Sequence, residues 1–196
     1  MTKSNRVIIG ISSLASNGKT FLAREISKEF GIECIENSTA AIAKEHNLEM
    51  NIAKHNDFNK LQTKLAEYHF GLVHGCEHRS GFVSDRTIYD ILMYAYCYFQ
   101  DNEKITTGAL NLVISYFLDT FKVYNLLILL PPIDDYKVIK DEKRTDDIDF
   151  QLNTNKVLQT INYLYPNKNV YIPKDNSSFE SRNKEIIEYI KDNLTW

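Results

Sequence analysis

The chain predicts an α/β fold, a parallel sheet covered by helices on both faces. Three observations carry this. Short apolar runs alternate along the whole chain with segments of helical period. Leu126 to Leu130 is an unbroken apolar run, as expected of a strand buried on both sides. The first apolar run, Val7 to Ile11, passes through a loop of small residues straight into a helical pattern. With 196 residues, 43% of them hydrophobic, the chain has material for one well-buried core and is read as one domain, 1–196.

The helix after the first strand has apolar positions at Phe21, Leu22, Ile26 and Phe30. Strand, loop and helix in this order make an anion site, because backbone N–H groups wrap anionic oxygens and the helix turns its positive end toward them. Set against the phosphate-binding pattern G-x-x-x-x-G-K-[ST], residues 13–20 read Ser13-Leu14-Ala15-Ser16-Asn17-Gly18-Lys19-Thr20, with Ser13 in the place of the first glycine. Lys19 is placed to neutralise outer phosphates and the Thr20 hydroxyl to hold Mg²⁺. Ser13, Ser16, Asn17 and Gly18 form the cradle. Asn17 tolerates left-handed backbone, which lets the loop close.

Gly31 reads as the stop of the first helix, and Ile32 to Ile35 as a short strand ending at Glu36. Asn37, Ser38 and Thr39 offer caps for a helix to His46. In open α/β sheets ligands gather outside the carboxyl ends of strands, so Glu36 either faces the same crevice as Lys19 or simply opens a solvated helix. From Asp57 to His74 the positions Phe58, Leu61, Leu65, Tyr68 and Leu72 step by three and four, an amphipathic helix. The stretch His74-Gly75-Cys76-Glu77-His78 follows no common zinc spacing and reads as a polar helix end.

The stretch Gly81 to Asp90 holds a short strand that delivers Asp85 and Arg86 at its carboxyl end. In a phosphate crevice Asp85 orients Mg²⁺ or its waters and the Arg86 guanidinium grips a phosphoryl oxygen; elsewhere the two would be a surface pair worth little. The helix behind them carries Tyr94, Tyr96, Tyr98 and Phe99, read as core. Ile105 to Tyr124 reads as a long helix, with Asn125 as its end, followed by the buried strand and Pro131-Pro132. Residues 133–147 are charged and without period: either a solvated loop or a mobile segment over the sheet, with Lys137, Lys140, Lys143 and Arg144 closing on phosphates. Arg144 is preferred, because its planar fork suits a phosphoryl group. A helix from Asp146 to Leu164 with Ile148, Leu152, Val157, Leu158 and Ile161 buried, a strand Val170 to Pro173 and a helix carrying Ile186, Ile187, Ile190 and Leu194 complete the chain.

A formal net charge of -3 argues against general attraction to nucleic acid and for a small-molecule partner. Three cysteines without close pairing point away from a disulfide framework, and no apolar run reaches membrane-spanning length. A cytoplasmic location is expected; a homodimer stays open.

With the loop Ser13 to Thr20, Glu36 and Asp85-Arg86-Thr87-Ile88-Tyr89-Asp90 in this order, the chain resembles the P-loop nucleoside and nucleotide kinases. The nearest flavour is the small ATPase/kinase group that includes ribosylnicotinamide kinase-like domains, with deoxynucleoside and thymidylate kinases as cousins. The resemblance covers nearly the whole chain. It implies a P-loop three-layer sandwich whose five-stranded parallel sheet has the order 2-3-1-4-5, with the lid at about 133–147. It implies ATP and Mg²⁺ as cofactors and transfer of the γ-phosphoryl group to a nucleoside or nucleoside monophosphate. Lys19 and Arg86 would then stabilise phosphoryl oxygens, with Arg144 joining from the lid. Thr20 and Asp85 would hold the metal, and Glu36 would accept the acceptor's proton. The chain departs from the pattern at Ser13, and at Thr39, Ala40 and Ala41, where relatives that hold an acceptor phosphate often carry arginine. Two other readings stand beside this one: a kinase acting on a modified base or a polynucleotide end, and a non-catalytic ATP-binding regulator.

Overall fold

The structure, a computed structural model, describes residues 6–36, 39–48, 55–75, 81–100, 105–137 and 147–194. Strand β1 (Val7–Ser12) leads to helix α1 (Lys19–Phe30), β2 (Glu33–Ile35), α2 (Thr39–Glu45) and α3 (His55–His74). Then come β3 (Gly81–Ser84), α4 (Ile88–Gln100), α5 (Thr107–Thr120), β4 (Leu126–Leu129), α6 (Ile148–Leu164), β5 (Val170–Tyr171) and α7 (Phe179–Asn193). The five strands form one parallel sheet in the order β2-β3-β1-β4-β5, the expected 2-3-1-4-5.

The two-residue period of the strands divides the core. In β1, Ile8 joins the apolar cluster shared with α3, α4, α5 and α6, while Val7, Ile9 and Ile11 join the cluster shared with α1 and α7. β4 splits the same way, Leu127 and Leu129 to the first and Leu126 and Ile128 to the second. Helices thus cover both faces, and each fully buried Ile or Leu contributes about 1.5–3 kcal/mol of apolar transfer. Gly31 ends α1 at φ 65°, a conformation that costs a residue with a Cβ more. Asn125 does more than end a helix: its N–H donates to Ile8 O at 2.9 Å and its Oδ1 accepts from Ile8 N at 2.7 Å, beginning the β1–β4 ladder one residue early.

Several expectations are corrected. Of the aromatic residues of α4 read as core, Tyr96 is exposed. The helix read as Ile105 to Tyr124 spans only Thr107–Thr120, with Thr106 as its N-cap; the apolar spacing runs on because Phe121 and Tyr124 are buried in the turn that follows. On α6, Ile148 and Leu152 are exposed, and the buried row is Gln151, Thr154, Leu158 and Ile161. Counting apolar residues alone turned that helix, since Gln151 and Thr154 go inward for hydrogen bonds. On α3, Tyr68 is exposed and its neighbour His69 is buried instead. Among the described residues no helix is long and apolar enough to cross a membrane. Cys76, Glu77 and His78 of the weak metal stretch lie outside the described residues, as do Lys140, Lys143 and Arg144.

Candidate active site

The loop between β1 and α1 lies at the carboxyl edge of the sheet, where the central strands β1, β3 and β4 end together. Its two left-handed residues are Ser16 (φ 56°) and Gly18 (φ 79°), so the turn expected at Asn17 falls one residue to each side of it. Asn17 is buried and works through its side chain: Nδ2 donates to Ser13 Oγ at 2.5 Å, Leu130 O at 3.2 Å and Pro131 O at 2.8 Å. Ser13, at the first glycine's place, has no positive φ to satisfy. Its hydroxyl accepts from Asn17 and donates to Leu130 O at 3.1 Å, and its N–H donates to Asp90 Oδ1 at 3.1 Å. The serine thereby ties the start of the loop to β4's end and to α4.

Gly18 caps α1 without a side-chain hydrogen bond, so the first N–H groups of that helix, with their share of positive charge, open on the loop. Lys19 Nζ donates to Ser13 O at 2.7 Å and Leu14 O at 2.8 Å and lies 3.7 Å from Asp90 Oδ1. One residue on, the Thr20 hydroxyl donates to Asp85 Oδ2 at 2.6 Å, joining the head of α1 to the end of β3. A hydroxyl and a carboxylate side by side are hard oxygen donors, the set that suits Mg²⁺.

Arg86 Nη1 donates to the Thr39 hydroxyl at the start of α2. Glu36 follows Ile35, whose carbonyl accepts from Asp85 N at 3.2 Å, so the two carboxylates stand on adjacent strand ends. Glu36 is held by Arg24 of α1 in a two-pronged pair at 2.6 and 2.8 Å, both side chains largely exposed. The Arg24 hydrogen bond keeps the Glu36 carboxyl below the ordinary carboxylate range. The structure therefore brings Lys19, Thr20, Asp85, Arg86 and Glu36 to one edge. Of the 133–147 segment, Tyr136 touches the loop, its hydroxyl donating to Ala15 O at 2.7 Å.

A family model described as AAA domain matches residues 7–180, from the start of β1 to the first turn of α7. The chain belongs to the AAA-domain family. No curated protein matches it. Among solved structures, deoxyadenosine kinase from M. mycoides with the products dCMP and dCDP has a TM-score of 0.71 at 13% identity, over 95% of this chain and 100% of that one. NadR in complex with NR has a TM-score of 0.67 at 14% identity; the match takes 97% of this chain and 51% of the NadR chain, about half its length. NadR with NAD and AMP-PNP gives 0.66 at 14%, over 95% and 49%. At these identities the likeness is one of fold: this AAA-domain chain has the P-loop kinase fold.

Three of the residues that shape the site escaped the sequence reading. Asp90 of α4 is fully buried and binds Ser13 N, Thr87 N at 2.9 Å and Lys19. An acid two residues inside an apolar helix is the sequence signal that finds it. Gln151 Oε1 accepts from Ala15 N at 3.3 Å. Arg182 of α7 reaches the loop from 165 residues away in sequence, and no spacing rule finds such a contact.

Proposed function

We propose that the chain is an ATP- and Mg²⁺-dependent phosphotransferase that moves the γ-phosphoryl group of ATP to a nucleoside or a nucleoside monophosphate. The observation that carries this is the 2.6 Å contact between Thr20 Oγ1 and Asp85 Oδ2, with Lys19 one residue away in the loop. A phosphate-binding lysine and a paired hydroxyl and carboxylate at a helix head are the parts this chemistry needs, since it runs on positioning and charge neutralisation. The nucleoside class of acceptor is supported by deoxyadenosine kinase and by NadR bound to NR, which share the fold.

Thr20 and Asp85 would hold Mg²⁺. Bound there, the ion would neutralise charge on the phosphate oxygens. Lys19 would exchange the Ser13 and Leu14 carbonyls for a phosphoryl oxygen, with Asp90 3.7 Å away to hold it near the loop. Arg86, anchored at Thr39, would steady the moving group. Glu36 is weakly basic because of Arg24, so it orients the acceptor hydroxyl and takes its proton late, as a loose transition state permits. Residues 133–147 serve as the lid, with Tyr136 as its contact to the loop.

The test is transfer of label from γ-labelled ATP, with Mg²⁺, to a panel of nucleosides, nucleoside monophosphates and single- and double-stranded DNA. Label on a nucleoside or a monophosphate supports the assignment. Label on DNA alone, or ATP binding with no transfer to any acceptor, overturns it in favour of a polynucleotide kinase or a non-catalytic regulator respectively.

A further inference from the structure

Arg182 is an arginine with no exposed surface, and it makes no ion pair among the described residues. Its guanidinium is met only by neutral oxygens: Nη2 donates to Asn17 O at 2.6 Å, and Nη1 to Asn17 Oδ1 at 3.2 Å and Pro131 O at 3.0 Å. Nε has no partner, and the Phe179 ring lies 5.3 Å from the guanidinium carbon. Burial pulls the pKa down to about 10, still well above neutral, so the group remains a cation. A buried charge without a counterion is costly to the fold, and its hydrogen bonds to neutral oxygens offset only part of that cost. Here that cost is borne against the back of an anion-binding loop.

The contact to Asn17 O has a directional consequence. The chain has no cis peptide among its described residues, and in a trans peptide the carbonyl and the next N–H point opposite ways. With the Asn17 carbonyl drawn to Arg182 beneath the loop, the Gly18 N–H points away from α7. That N–H has no acceptor among the described residues. A charged donor on the carbonyl also polarises the peptide and strengthens its N–H as a donor.

We propose that Arg182 is a positioning residue of the phosphate loop: it turns the Gly18 N–H toward a bound polyphosphate and supplies, from beneath the loop, a positive charge whose counterion is that polyphosphate. This rests on the reading of residues 13–20 as a phosphate loop. It makes α7, the last helix, part of the nucleotide site without touching the nucleotide.

The experiment compares the parent with Arg182→Met and Arg182→Lys by calorimetric titration with ATP and with inorganic tripolyphosphate, and by melting without ligand. Arg182→Met relieves a buried charge but leaves the Asn17 carbonyl and Oδ1 without their donor, so its Tm is expected to stay near the parent's, while each folded molecule binds tripolyphosphate about 10–100-fold more weakly, the equivalent of one charge-assisted hydrogen bond. Arg182→Lys recovers part of the affinity. A purely structural arginine gives the reverse, a lower Tm with affinity per folded molecule unchanged, and that result overturns the proposal. Should Arg182→Met fail to fold, Arg182→Gln, which keeps an N–H for the Asn17 carbonyl and loses the charge, decides by the same affinity criterion. A parent that binds neither ATP nor tripolyphosphate overturns the phosphate-loop reading and this inference together; a parent that binds both, with a Met variant that binds equally well, overturns this inference alone.

Discussion

Asp90 Oδ1 takes the Ser13 N–H at 3.1 Å and stands 3.7 Å from Lys19 Nζ, so one buried carboxylate holds both the first residue of the phosphate loop and its lysine. Its other oxygen takes the Thr87 N–H at 2.9 Å. Asp90→Ala leaves two buried N–H groups without their acceptor and is expected to cost about 1–3 kcal/mol per group. Asp90→Asn keeps an acceptor oxygen for only one of them and falls between. Urea unfolding measures this, and an Ala variant as stable as the parent would remove Asp90 from the loop's support.

Asp85 and Glu36 occupy neighbouring strand ends but have different partners, Thr20 for one and Arg24 for the other. Asp85→Asn is expected to raise the Mg²⁺ concentration needed for activity, because a charged oxygen donor is lost. Glu36→Gln should leave the Mg²⁺ profile alone and lower kcat, by at most the roughly 10²–10⁴-fold of a positioned acid–base group. Profiles of kcat against Mg²⁺ that shift alike would contradict this division of roles.

Gly18 holds φ 79°, and a Cβ there would come within 2.8 Å of the Phe179 ring. At Gly31, φ is 65° but nothing lies within 4 Å of such a Cβ. Gly31→Ala therefore carries backbone strain alone, about 1 kcal/mol, with nucleotide affinity unchanged. Gly18→Ala adds a clash and is expected to lose more stability and most nucleotide affinity. Thermal melting and nucleotide titration of the two variants side by side check this; equal effects would deny that α7 is packed against the loop.

What the sequence made legible follows from period and adjacency. Val7 to Ile11, Leu126 to Leu130 and the helical runs between them announce the sheet and its cover, because strand and helix leave different spacings of apolar residues. The gathering of Lys19, Thr20, Asp85 and Glu36 at one edge was legible, for Asp85 and Glu36 because each directly follows a strand, and for Lys19 and Thr20 because Gly-Lys-Thr closes a loop between a strand and a helix. Gln151 and Arg182 were not, because polar residues on a helix read as solvent-facing, and only the tertiary contact to Ala15 or Asn17 shows otherwise. Ser16 was passed over for Asn17 because left-handed tolerance is a residue preference, while the turn geometry is set by the whole loop.

His69 predicts an acid sensitivity. Its Nε2 bonds the Tyr124 hydroxyl at 2.6 Å, which also accepts from Ile88 N at 3.1 Å, and its Nδ1 is buried without a partner. Burial, with Arg86 nearby, pushes its pKa from 6.5 down to about 3. Between those values the unfolded chain binds a proton that the folded one refuses, so stability falls as pH drops below about 6.5, by up to about 1.4 kcal/mol per pH unit. Below about pH 3 this contribution levels off. His69→Gln keeps a polar group for Tyr124 and should flatten the slope over that window. Unfolding free energies at stepped pH measure it, and identical slopes for variant and parent would contradict the buried neutral imidazole.

Lys19→Ala, assayed for transfer of label from γ-labelled ATP to the acceptor that the parent uses, tests the central claim most directly. The account predicts a variant that keeps the parent's circular dichroism, melts lower because buried Asp90 loses its cation, and shows transfer by the folded protein reduced to background, because Lys19 is the cation at the mouth of the loop. Near-normal turnover in the folded variant would contradict it.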